Sequence, residues 1–227
     1  MKLFAPLLAI TLLSVLSACS PSSAEPAPPA SATASESASD SPAPVDDAEP
    51  EAAKILLKTL SFFILDEDGE ILDEFDYFAP AAPVVARLSE VFGGDPLVTP
   101  FAGNPEQSDG ILYTWDGLTL KDWNVPAVAY WQDFDIIASS PVVRGITVVG
   151  AGEVGVGATA EQATAAGASY IDTVFDEPVP PYFELDSMPA PDPEWAEWYD
   201  GPRRYVLAEL SGEVIVSITA PDVNYGP

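Results

Sequence analysis

Residues 20–52 hold a single large aliphatic side chain, Val45, among Ser, Ala, Pro, Thr, Asp and Glu. Such a stretch cannot bury enough apolar surface to offset the entropy lost on ordering, so it is expected to be a disordered tether. Its proline-rich runs, with acids that repel one another, favour an extended chain reaching roughly 50–100 Å. The fold must therefore be built from Lys54 onward, over residues 54–227.

Ahead of the tether lie Lys2, an apolar run over residues 3–16, and then Ser17 and Ala18 before Cys19, the one cysteine in the chain. A basic start, an apolar run and small residues at a cleavage point make up a secretory signal. Leu16-Ser17-Ala18-Cys19 resembles the lipobox of bacterial lipoproteins. The resemblance implies that residues 1–18 are a lipoprotein signal peptide, removed after the Cys19 thiol has taken a diacylglycerol. Cys19 would then be the lipidated first residue of a 19–53 tether, anchored to the outer face of the cytoplasmic membrane. Two or three acyl chains anchor stably where one is marginal, because each buried CH₂ contributes about 0.8 kcal/mol. Low lysine, abundant alanine and proline, and the acidic balance point to a GC-rich host, and the chain resembles actinobacterial lipoproteins.

Charge excludes one class of partner. The chain has 36 Asp and Glu against 8 Lys and Arg, with no His, for a formal net charge of −28. Nucleic-acid binding draws on Lys and Arg that neutralise phosphates, so it is not expected here. Anionic headgroups and wall polymers are repelled as well. With Cys19 acylated no thiol is left for a disulfide, and the domain must stand on its core. About 175 residues suffice, since a domain of that size buries roughly 70% of its unfolded surface. No second apolar run approaches the ~18 residues of a membrane span.

Local signals then predict the elements. Apolar runs at 55–65 and 71–78 flank Asp66-Glu67-Asp68-Gly69-Glu70 and read as a hairpin. Pro83 opens a helix with Val84, Val85, Leu88, Val91 and Phe92 at helical spacing, stopped by Gly93-Gly94 and Pro96. Residues 111–115 and 118–120 form a hairpin over Asp116-Gly117, and β character continues at 127–139 and 145–149. Thr159-Ala160-Glu161-Gln162 is a capping box for a short helix that Gly167 ends. Residues 203–210 and 213–220, around Ser211-Gly212, predict a terminal hairpin. The expected fold is α+β: a mainly antiparallel sheet with two short helices, following the signal peptide and the disordered linker.

A twofold echo runs through this order, since each helix ends at glycine and is followed by strand-like sequence. Val154-Gly155-Val156-Gly157-Ala158-Thr159-Ala160-Glu161-Gln162 resembles the strand-to-helix opening of small helix-plus-sheet repeats in exported bacterial proteins, including the β-lactamase-inhibitor-like fold.

Catalytic and metal motifs are sparse. Without His there is no Ser-His-Asp triad, Cys-His pair or imidazole ligand. Gly150-Ala151-Gly152-Glu153-Val154-Gly155 fits G-x-G-x-x-G as a string, but Val156-Gly157-Ala158 delays the helix, so it reads as a glycine-rich turn. Asp66, Asp68 and Gly69 imitate a calcium loop, yet its first and last ligand positions fall on Ile64 and Phe75. No metal or cofactor is expected. Asp133 and Asp135, beside Trp131, are the carboxylate pair for glycan hydrolysis, against the plainer reading of a solvated strand face. Trp195 and Trp198, three apart after Asp192-Pro193, would share one helical side and stack on a glycan or anchor a protein, unless they lid the core. The expected protein is a lipid-anchored envelope component with a non-catalytic binding or accessory domain, not an enzyme. Its alternatives are a carboxylate-based envelope glycan hydrolase and an inhibitor-like or adaptor module docking a protein partner.

Overall fold

The computed structural model divides into residues 1–46 and 47–227; it describes residues 50–103, 108–124, 132–172, 180–190 and 203–224. The described part is mainly β with two helices, an α+β architecture of largely antiparallel sheets. In chain order it begins with β1 (Lys54–Leu57), β2 (Ser61–Leu65), β3 (Ile71–Asp76) and helix α1 (Ala81–Val91). β4 (Leu97–Phe101), β5 (Gly110–Trp115), β6 (Leu118–Asp122) and β7 (Phe134–Ala138) follow. Next come β8 (Val142–Val143), β9 (Ile146–Gly150) and helix α2 (Ala160–Ala165). The last strands are β10 (Ser169–Ile171), β11 (Tyr182–Pro189), β12 (Arg203–Ser211) and β13 (Val214–Asn224).

Two sheets result. The smaller has the order β3-β2-β1-β9-β8, and the larger β10-β11-β12-β13-β7-β6-β5-β4. Each helix is therefore followed by four antiparallel strands that run from a sheet edge to its centre, where β7 meets β13. The twofold echo is realised as two αββββ halves joined by one strand pair.

A hairpin turn in the first half and the helix start of the second follow their residue types. Asp116 (φ 31°) and Gly117 (φ 113°) both take positive φ, as the two-residue hairpin turn between β5 and β6 demands. The Thr159 hydroxyl accepts from the Gln162 N–H while the Gln162 side chain accepts from the Thr159 N–H, so the expected capping box starts α2.

Two local expectations are corrected. The run at 55–65 is two strands, because the chain turns back after Leu57 and β1 pairs antiparallel with β2; the hairpin over the acidic turn is β2 with β3. Helix α1 begins at Ala81, ahead of Pro83. Its first amide is satisfied from far away, by Asp133 Oδ2 at 3.0 Å from the Ala81 N–H. A local sequence window cannot display a cap held 52 residues off.

The core lies between the sheets. On the inner face of the large sheet a register row runs Trp115, Leu118, Ala138, Ile218, Ala208, Phe183 and Tyr170; all but the half-exposed Tyr170 are buried. Trp115 packs on Phe92 and donates its indole N–H to the Gly94 carbonyl. Phe62 of the small sheet meets Phe134 of the large one, with Tyr77 beside both. The sheets approach so closely at Gly150 that a Cβ there would lie 2.7 Å from Leu185. Thr59 ties them together, its N–H donating to Asp186 Oδ2 and its hydroxyl to the Asp186 carbonyl.

Candidate functional site

With the inner face closed by core, the outer face of the large sheet is the broad surface that both halves share. One register row crosses all eight strands: Leu97, Thr114, Thr119, Ile137, Thr219, Leu207, Glu184 and Ser169. The first six are uncharged, and five of them, Thr114 to Leu207, are half-buried, with Leu97 exposed at the edge. The Thr114 and Thr119 hydroxyls lie 3.2 Å apart in a cross-strand hydrogen bond.

Below this row lies a polar cluster built from β6 and β7. Strand alternation puts Lys121 and Trp123 on the same face, and pairing brings Asp135 beside Lys121. Asp135 accepts from Trp123 Nε1 at 2.9 Å and Gln132 Nε2 at 2.5 Å. Burial pushes its carboxyl up to about 7, against the lowering effect of those two donors and Lys121. The Lys121 ammonium stands 3.6 Å from the Trp123 ring centroid and 4.9 Å from that of Phe101. Its affinity for a proton is lowered by desolvation and partly restored by Asp135. On the other half, Tyr182 and Tyr205 stack at 5.9 Å, with Tyr205 beside Asp222. Burial raises Asp222, partly offset by bonds from the Val223 amide and Tyr205.

The residues expected from sequence meet mixed fates. Cys19, Trp131, Trp195 and Trp198 lie outside the described residues. Asp133 and Asp135 are described; Asp133 is partly exposed, while the solvated-face reading fails for Asp135. Asp135 is 6% exposed, held against the Trp123 and Gln132 side chains on the face of interior strand β7 opposite Phe134 and Ile136. Asp133 precedes β7 and caps α1, whereas Asp135 holds Trp123 and Gln132, so each carboxylate has its own structural task. Trp123 and Lys121 were missed as site residues. Their signal was present as a cation and an aromatic two apart on one strand. Among the described residues no group of three or more acidic, His or Cys side chains has the geometry to hold a metal ion. Comparison with protein-family models, curated proteins and solved structures finds no match to this chain.

Proposed function

We propose that the chain is a lipid-anchored envelope protein whose α+β domain works by binding, without catalysis, and docks a protein partner on the outer face of its large sheet. Leu16-Ser17-Ala18-Cys19 supports the anchor, and residues 20–52 supply the reach. The observation that carries the docking role is the uncharged row from Leu97 to Leu207, which crosses both halves of a chain with 36 acids. A charge-poor row suits a protein interface, where charged residues are depleted at the core and confined to the rim. The surrounding negative field would speed encounter with a basic partner. The glycan-hydrolase alternative would draw on Asp133 and Asp135, which here accept hydrogen bonds from Ala81 and from Trp123 and Gln132 respectively.

A photo-crosslinking residue placed at Thr119 in the full anchored chain tests the docking face. A protein adduct is expected at Thr119 and absent at Ile71, which is 60% exposed on the small sheet. It should vanish when Thr219→Arg is added, because that change puts a charge in the adjoining part of the row. Adducts that form equally from Ile71, or that survive Thr219→Arg, would overturn the reading. For the anchor, mass spectrometry of the mature protein should find acylated Cys19, and Cys19→Ser should leave the membrane fraction.

A further inference from the structure

A second surface lies apart from the outer face, beside the edge strand β4. Ala82, Val85, Ala86 and Ser89 form one stripe of α1 that walls a crevice of about 810 Å³. Its opposite side is made by Val98 and Tyr113, cross-strand partners on the inner side of β4 and β5. Val98 is 54% exposed, so a large apolar side chain stands open at the rim. Glu90 and Asp95 lie at the mouth. The nearby guanidinium of Arg87 is held between Asp73 at 2.8 Å and Glu90 at 3.0 Å. Glu90 and Asp95 make this side of the crevice acidic, while the neighbouring Arg144 guanidinium is turned to Asp116 and to the Phe92 and Gly94 carbonyls.

The backbone of β4 sharpens the chemistry. A proline inside a paired strand sits where its missing N–H would face away from the partner. Pro100 pairs with Ile111, so positions 96, 98 and 100 are those that face outward. Two of these three are proline, Pro96 and Pro100, leaving one N–H and three carbonyls along the open edge. An incoming strand would lack donors to pair with, so strand addition is blunted. Donor-bearing side chains find acceptors and negative charge.

From this geometry we propose that the crevice between α1 and β4 binds an extended segment of another protein, with branched apolar side chains followed by Lys or Arg. The apolar side chains lie between Val85, Ala86 and Val98. The cation reaches Asp95 and Glu90, with the outward carbonyls of β4 alongside. The site is independent of the outer sheet face.

Fluorescence anisotropy with three labelled hexapeptides at about 0.15 M salt tests it, since screening there removes most long-range attraction. The probes are Ala-Val-Leu-Val-Lys-Lys, the same peptide ending Glu-Glu, and Ser-Gly-Ser-Gly-Lys-Lys. Only the first should bind saturably. Ala86→Trp, which fills the crevice without altering charge, should weaken it about tenfold or more. Asp95→Lys should weaken it less, while Ile71→Ser on the small sheet should change nothing. Val98→Ser is a second test of the apolar wall should Ala86→Trp disturb folding, as a melting curve would reveal. Equal binding of the two Lys-ended peptides would show attraction by net charge alone and overturn the proposal. Absence of saturable binding, or binding indifferent to both Ala86→Trp and Val98→Ser, would overturn it as well.

Discussion

The two αββββ halves solve the same packing problem with different means. The first half puts an eleven-residue helix with three buried side chains, Ala81, Val84 and Leu88, onto its strands. The second has a six-residue helix with one, Ala163. The register about β7 and β13 places Trp115 of the first half where the second has Phe183. Each ring has an aromatic neighbour, Phe92 and Tyr170 respectively. The helix starts differ most. Helix α2 caps itself with Thr159 and Gln162, whereas α1 borrows Asp133 from the approach to β7. A self-capped helix can begin locally, but a borrowed cap makes the start of α1 depend on the far side of its own half. The first half should therefore be the more cooperative of the two.

The largest expected effect tests the equivalence of the two aromatic places. Trp115→Ala and Phe183→Ala should each cost about 3–5 kcal/mol in urea unfolding. Trp115 should be the dearer, because its indole bond to Gly94 goes too. A clearly smaller loss at Trp115 would break the parallel.

Next comes pH, through Asp135, raised by burial in the first half as Asp222 is in the second. Its folded pKa of about 7 is above the ordinary 3.8, so the folded state holds the proton more tightly. Its contribution is present in full below the unfolded value and is lost as pH rises through about 7. The loss amounts to as much as about 4 kcal/mol, at 1.36 kcal/mol per unit. Asp135→Asn should abolish it, so the stability difference between variant and wild type should grow in the variant's favour from pH 4 to 8. A flat difference would mean that Asp135 is not the titrating group.

The caps give the smaller effects. Asp133→Ala should cost about 1–2 kcal/mol, near the top of the range for capping groups, since a partly buried amide loses its acceptor. Thr159→Ala should cost about 1 kcal/mol or less, at an exposed helix start. Hydrogen exchange at Ala81 should accelerate in the first variant and stay unchanged in the second. If the two costs came out equal, the contrast between borrowed and local capping would lose its energetic content.

Those same elements show what sequence could reveal. The turns at Asp116-Gly117 and Ser211-Gly212, the Thr159 box and the glycine stop after α2 rest on interactions within a few residues, and all were legible. The neighbours β7 with β13 and β1 with β9 were not, because pairing across some 80 to 90 residues leaves no local pattern. That is also why Asp135 was misread. Alternation with Phe134 and Ile136 identifies a strand with one apolar face, but whether the other face is open depends on what else the chain lays over it. The proposed docking surface followed suit: Thr114, Thr119, Ile137 and Thr219 look unremarkable one by one and become a row only when the strands are aligned.

The central pair has a consequence for how the molecule comes into being. β13 is the last described strand to leave the ribosome, and it is the one that joins the halves through Ile218, Thr219 and Ala220. Until it arrives, β7 is a bare edge in the middle of what will become the sheet, ready to pair with any strand it meets. Contacts so distant along the chain also form slowly. Loss of β13 would leave the first half a sticky fragment with its middle exposed.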